Sequence, residues 1–354
     1  MFKDSYKVIG VMSGTSLDGI DLAYIHFSIR NQKWSFEIQE STTVSYPLDW
    51  LNKLKIAVGF SKEELITLNE EYTEFLGTTI RNFIDLNSIS EIDAVCSHGH
   101  TILHQPQNGF TLQIGNLPKI SKLIGQTTVC DFRVQDVQLG GQGAPLVPIG
   151  DRILFSEYDY CLNLGGFSNV SFDNNGNRIA FDISPVNTVL NFYANTFGLN
   201  YDDKGLIARS GNLNDTLLNE LNDLEYFKKP YPKSLGFEFV KGIVLPLLEN
   251  YSIDSKDKMH TFIEHIAIQT ALALPKKEGK LLITGGGAYN EFLIERMQVH
   301  LPKVSITIPD AKTIEFKEAL IFALLGVLKL RNEINVLSSV TGAKHDHSSG
   351  CIYQ

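Results

Sequence analysis

Residues 8–27 read VIGVMSGTSLDGIDLAYIHF, a loop of small and hydroxyl residues set between two apolar runs. Gly14 and Gly19 allow backbone angles and close approaches that a side chain would block. Ser13, Thr15 and Ser16 add hydroxyl donors beside exposed backbone amides. That chemistry suits an anion, but the flanks carry more information than the loop. After Asp18-Gly19 the run from Ile20 to Phe27 is β-branched and aromatic with partial alternation, which predicts a strand. A strand-turn-strand unit excludes a Walker loop, which carries a Lys followed by Ser or Thr and opens a helix. It also excludes a dinucleotide fingerprint, which needs the same helix. Taken alone, the stretch reads more readily as an ordinary Asp-Gly hairpin.

Working outward, WSFEIQESTTVSY predicts a third strand. Residues 61–85 carry helical spacing in Leu65, Leu68, Tyr72, Phe75 and Ile80, opened by a Ser61/Glu64 capping box. IDAVCSHG, TLQIG and TTVC are short apolar runs, with ISKLIG predicting a helix before the last. The second half then begins again: YCLNLGGFSNVSF, a turn at Asn174-Asn175-Gly176, RIAFDIS, a long helical stretch, KLLITGGGAYN and a helix over 291–300. YCLNLGGFSNVSF repeats the strand, Gly-rich turn and strand of the opening. The expectation is an α/β protein of two similarly built domains facing each other across an interdomain cleft. Glycine loops at corresponding places suit a protein that clasps a nucleotide, and the pattern is similar to the actin, hexokinase and Hsp70 (ribonuclease H-like) type of ATPase fold.

Bulk properties agree. At 354 residues the chain is longer than one hydrophobic core usually serves, and 43% hydrophobic with 20% charged residues is ordinary globular composition. The expected division is 1–131 and 132–354, the last segment being free to pack back on the first domain. The formal charge of -9, with no long basic run, disfavours nucleic acid and anionic membrane as partners, while leaving room for a local basic pocket. Cys96, Cys130, Cys161 and Cys351 are far apart and form no Cys-x-x-Cys pair, as in a reduced cytoplasmic protein. MFKDSYKVIG holds no apolar signal core, and ALIFALLGVL (319–328) is too short to span a bilayer and fits a buried helix.

The whole chain resembles the anhydro-N-acetylmuramic acid kinases. The motifs are GVMSGTSLDGID, SHGHTILHQP, TLQIGN, DFRVQDVQLGGQGAPLVP, NLGGFSNVSF, AFDISPVN, PKSLGFEF, TGGGAYN, KEALIFALLG and VTGAK, in family order. The resemblance implies a cytoplasmic enzyme of peptidoglycan recycling, acting on a small amino sugar. ATP with magnesium phosphorylates O6 of 1,6-anhydro-N-acetylmuramic acid while water opens the anhydro bridge at C1. A homodimer is a family-level expectation.

It also implies roles. Asp182 aligns with the catalytic aspartate, expected just past a strand end and able to take a proton from the attacking water; its plain alternative is a cap. Ser13, Gly14, Thr15, Ser16 and Gly19 would bind ATP phosphates, and Asp18, with Asp21 as a second candidate, would hold magnesium directly or through water. Gly165, Gly166, Gly285, Gly286 and Gly287 would let backbone approach the nucleotide, although a strand-to-helix turn also explains the triple Gly. His98, Arg133, Asn187 and Glu318 fall on the substrate side. Arg133 could fork onto a lactyl carboxylate or pair internally with Asp131 or Asp136. Glu318, read as opening the apolar helix, could meet a sugar hydroxyl or simply favour a first turn. His98, His100 and His104 lack a further ligand at a convincing interval for zinc, and His345-Asp346-His347 reads as a solvated tail.

The sequence departs from the family pattern at His100 (usually Gln), Ile183-Ser184 (usually Thr-Gly), Val186, Phe237 (commonly Arg) and Lys204 (frequently an acid). Bulk beside Asp182 could reshape the sugar site. Two other readings therefore stay open: a divergent sugar kinase acting on another hydroxyl, and a nucleotide-binding sensor with little turnover.

Overall fold

The computed structural model describes residues 3–354. β1 (Ser5–Ser13) and β2 (Ile20–Arg30) are antiparallel, with Ser13 opposite Ile20 across the loop, and β3 (Lys33–Val44) continues the meander. The helix Lys62–Leu86 follows, and both halves of the Ser61/Glu64 capping box are made. Its apolar stripe, including Leu68, Tyr72, Leu76 and Ile80, packs on Ile9, Val11, Ile20 and Leu22 of the sheet. Each such side chain removed from water stabilises by about 1.5–3 kcal/mol.

β4 (Ala94–Gln105) runs parallel to β1, β5 (Phe110–Ile114) folds back on β4, and β6 (Thr128–Cys130) is parallel to β4. The second sheet contains β7 (Tyr160–Leu164), β8 (Phe167–Asn174), β9 (Asn177–Pro185), β10 (Glu278–Thr284) and β11 (Lys303–Thr307). The β8–β9 hairpin turns at Asn175 (φ 50°) and Gly176 (φ 83°), the paired positive angles that a two-residue primed turn requires. β12 (Cys351–Tyr353) returns to the first sheet beside β6.

The two sheets share one plan. Strand order is β3-β2-β1-β4-β6 in one and β9-β8-β7-β10-β11 in the other, each an antiparallel meander followed by two parallel strands. Parallel neighbours need long crossovers; the helix Ser255–Ala273 precedes β10, and the helix Glu291–His300 joins β10 to β11. This doubled α/β plan is that of the actin/hexokinase (ribonuclease H-like) type.

The chain divides differently from the expected boundary at 131. One unit is the chain up to Leu154 together with Phe316–Gln354, and the other is Phe155–Glu315. Residues 132–154 stay with the first unit because they are bonded into it. Buried Asp136 accepts from Thr341 Oγ1 at 2.7 Å, and Asp151 pairs with Lys317 at 2.7 Å. The helix Ala311–Leu330 starts earlier than expected, so Glu318 lies inside it rather than at its opening, two residues after the non-helical Phe316 (φ −109°, ψ 15°). Ala319, Leu320, Ile321 and Phe322 are buried, as expected of the apolar run. The histidine tail is not solvated as a whole: His347 is buried and bridges to Val336, and Ser349 Oγ donates to the Phe132 carbonyl at 2.7 Å. Among the described residues no helix is long and apolar enough to cross a membrane.

Candidate active site

In the first unit, residues 14–18 form the turn between β1 and β2, with Thr15, Ser16 and Asp18 exposed. Gly19 is buried, and a Cβ there would lie 2.7 Å from the Val44 carbonyl oxygen, so close passage of β3 explains this glycine. Ser13 differs from expectation. Its hydroxyl is not an open donor but sits in a buried chain, 2.7 Å from His100 Nδ1 and 2.5 Å from Tyr46 Oη, which in turn is 2.6 Å from Tyr72 Oη. The hydroxyls left facing solvent are those of Thr15 and Ser16. Asp21, half-buried on β2, accepts from Thr43 Oγ1 at 2.6 Å.

Arg133 follows β6, where Asp131 turns the backbone with φ 60°. Its Nε donates to His98 Nε2 at 2.8 Å and its Nη1 to the Gly143 carbonyl at 2.6 Å. Neither expected internal ion pair forms. The Asp136 carboxylate instead receives Gly143 N and Thr341 Oγ1, both at 2.7 Å. Burial pushes the Arg133 guanidinium down to about 10, opposed by the charges of Glu318 and Asp136. Glu318 is exposed at the surface, yet the protein packed around it raises its carboxyl pKa by desolvation, with Asp21 adding to the rise and Arg133 and Lys317 opposing it. His98, His100 and His104 make separate contacts, and no group of three or more His, Cys, Asp or Glu side chains suited to a metal occurs among the described residues.

In the second unit Asp182 lies within β9, not past its end, where the pairing with β8 shifts register beside Asn169. Its Oδ2 accepts the Leu235 amide at 2.8 Å, its own amide donates to the Lys233 carbonyl at 3.2 Å, and its carbonyl accepts Tyr226 Oη at 2.7 Å. Oδ1 has no hydrogen-bond partner among the described residues. Burial raises the carboxyl pKa, and the Leu235 amide partly opposes this. The carboxylate does not cap the segment after it; its amide partner comes from a remote loop. Ile183 packs in the core at 2% exposure, so its bulk is directed inward.

The two glycine turns of this unit abut. A Cβ on Gly285 would lie 2.6 Å from Asn163 Oδ1, and one on Gly287 would lie 2.7 Å from Leu164 Cβ. Gly287 is buried, so its missing side chain makes room for Leu164 rather than for a ligand; Gly286 is the exposed member. The carbonyls of Gly165 and Gly166 accept Asn187 N at 3.3 Å and Val186 N at 2.8 Å, occupying donors at the start of the helix Asn187–Ala194. Asn187 Nδ2 donates to the Leu164 carbonyl at 3.3 Å. Asn163, Leu235 and Tyr226 were not singled out from the sequence, although the NLGG and PKSLG motifs contain the first two. Phe237 is exposed, and Lys204 pairs with Glu291 at 3.0 Å.

Two units of one strand order, each with a glycine turn after its first strand, are the arrangement of an actin/hexokinase (ribonuclease H-like) type of protein. The profile of a family described as anhydro-N-acetylmuramic acid kinase matches residues 6–354. Relatives of that name from Aliivibrio fischeri and Hydrogenovibrio crunogenus are 35% and 33% identical, over 98% of this chain in both cases and 99% and 97% of theirs. The chain belongs to the anhydro-N-acetylmuramic acid kinase family. Among solved structures, a ROK family glucokinase from Streptomyces griseus in complex with glucose and AMPPNP aligns with a TM-score of 0.41 and 12% identity, over 90% of this chain and 99% of that one. Component A of the Acidaminococcus fermentans (R)-2-hydroxyglutaryl-CoA dehydratase aligns with a TM-score of 0.43 and 14% identity, over 92% and 99%.

Proposed function

We propose that the protein uses ATP to phosphorylate O6 of 1,6-anhydro-N-acetylmuramic acid while water opens the anhydro bridge at C1, giving N-acetylmuramic acid 6-phosphate in cytoplasmic peptidoglycan recycling. The observation that carries this reading is the state of Asp182. One oxygen is pinned by a backbone amide, the other has no hydrogen-bond partner among the described residues, and burial raises the carboxyl pKa. A carboxylate so held takes a proton from water as the water oxygen bonds to C1; the C1–O6 bond breaks, and the freed O6 attacks the γ-phosphorus and displaces ADP. General-base assistance of this kind is worth ~10²- to 10⁴-fold.

The backbone of Gly14, Thr15 and Ser16, with the two exposed hydroxyls, supplies donors to the phosphates. Exposed Gly166 and Gly286 admit the nucleotide, while Gly165, Gly285 and Gly287 shape those turns. The donor set fits magnesium: Asp18 is exposed beside the loop, Asp21 is a second carboxylate, and this ion is usually held by one or two carboxylates together with phosphate oxygens and water. Bound there, it would neutralise charge on the phosphate oxygens. Arg133 and Glu318 serve the sugar, Arg133 through the lactyl carboxylate. Asn187 supports the glycine turn. The family reading carries a homodimer, which light scattering tests.

The deciding experiment incubates the protein with ATP, magnesium and the anhydro-sugar and identifies products by mass and phosphorus NMR. The expected product is heavier than the substrate by one phosphoryl group (HPO3) plus one water. Phosphorylation without added water would instead mark a simple sugar kinase, and nucleotide binding without any product would mark a sensor.

A further inference from the structure

We propose that His98 is a positioning residue that does not touch the sugar but sets the guanidinium of Arg133 to receive the substrate's carboxylate. The proposal rests on the function proposed above and adds how its carboxylate is recognised.

The geometry fixes the ring's tautomer. An arginine Nε always carries a proton, and Arg133 Nε points at His98 Nε2 from 2.8 Å, so Nε2 must present its lone pair. The ring proton is then on Nδ1, where it donates to the Gly99 carbonyl at 2.9 Å. Burial and the Arg133 charge both hold the imidazole well below its usual pKa, in agreement with a neutral ring. Phe322 supports both groups, with its centroid 4.6 Å from the His98 ring and 5.9 Å from Arg133 Cζ.

The fork is thereby oriented. Nε is committed to His98 and Nη1 to the Gly143 carbonyl, while Nη2 has no hydrogen-bond partner and the guanidinium no ion pair among the described residues. Arg133 is half-buried, and Glu318 lowers the cost of its charge without bonding to it. A half-buried guanidinium with one edge tied to neutral acceptors and a donor left over fits an anionic ligand group. A carboxylate is the anion the anhydro-sugar offers. His98 acts only through Arg133: its two nitrogens are both occupied, and it is 3% exposed.

The test compares binding of the anhydro-sugar with that of its lactyl amide, by calorimetry, in the wild type, His98→Leu and His98→Gln. Leu removes the acceptor, whereas Gln can present an amide oxygen to Arg133. His98→Leu should weaken binding of the acid by about ten- to a hundredfold, the range of one charge-assisted hydrogen bond, and leave the amide nearly unchanged. His98→Gln should recover most of the loss. Equal effects on acid and amide, or none on either, would overturn the positioning role while leaving the kinase reading intact. A nitrogen-15 spectrum of the wild type needs no variant: His98 should be the Nδ1–H tautomer, and an Nε2–H ring or an imidazolium would overturn the proposal. If the wild type makes no phosphorylated sugar at all, the functional reading falls and this proposal with it.

Discussion

The backbone amide of Leu235 donates to Asp182 Oδ2 at 2.8 Å, across 53 residues of sequence. The carboxylate is therefore aimed by main chain, which has fewer degrees of freedom than a side-chain partner, and its ionisation is a balance between burial, which raises the pKa, and this bond, which lowers it. Asp182→Asn should cut kcat by about 10²- to 10⁴-fold and keep ATP binding. Retained near-normal turnover would remove the base assignment.

The same balance fixes a pH dependence. In the proposed role as base Asp182 works ionised, and its pKa in the folded protein is raised, so kcat/KM should climb with pH through a limb lying above the ordinary aspartate value of about 3.9. Leu235→Pro removes the amide that lowers this pKa, and the limb should move to higher pH. A limb that stays in place, or moves down, in a folded variant would contradict the account.

Asp18→Asn should weaken magnesium-dependent ATP use while leaving the melting temperature close to that of the wild type, because Asp18 is exposed in the turn. The readout is the magnesium concentration giving half-maximal rate. An unchanged value takes Asp18 out of the metal's coordination.

His100 is pushed down to about 4 by burial. The unfolded chain, titrating near 6.5, binds the extra proton first, so stability should rise with pH between about 4 and 6.5 and this component should vanish in His100→Gln. Gln can still bond Ser13, so the substitution should be mild at neutral pH. His100→Leu strips a partner from the buried hydroxyl chain and should cost about 1–3 kcal/mol by denaturant titration.

Gly10→Ala should be far more damaging than Gly242→Ala. A Cβ on Gly10 would lie 2.0 Å from the Ala319 carbonyl oxygen, whereas one on Gly242 meets nothing within 4 Å. Forced separation of strand and helix costs about 1–3 kcal/mol or more, and thermal melts of the two variants should separate accordingly.

Local chemistry made much of this legible in the sequence. The Ser61 capping box, the Asn175-Gly176 turn and the helix over 291–300 are encoded in residues close together, and all three form. The repeat of strand, glycine turn and strand disclosed the doubled sheet. What escaped depends on contacts remote in sequence. Nothing near Asp182 announces that Leu235 will face it, and nothing in His345-Asp346-His347 announces that Asp136 and Val336 will bury part of it. The boundary failed for the same reason, since residues 132–154 are tied to partners beyond residue 315. At Gly287 both sequence readings, nucleotide approach and strand-to-helix turn, start from the same missing Cβ, which looks alike whether it admits a nucleotide or Leu164.

The division of the chain also bears on its synthesis. The first unit is discontinuous: its sheet lacks β12, and the helical residues from Phe316 onward are missing, until the last stretch of the chain has been made. Domains generally fold as units as they emerge, the N-terminal one first. Here the order is reversed, because the second unit is complete in sequence by Glu315 while the first still waits for its closing helix and strand. A ribosome stalled shortly after residue 315 has been extruded should carry a folded middle and an unfinished beginning.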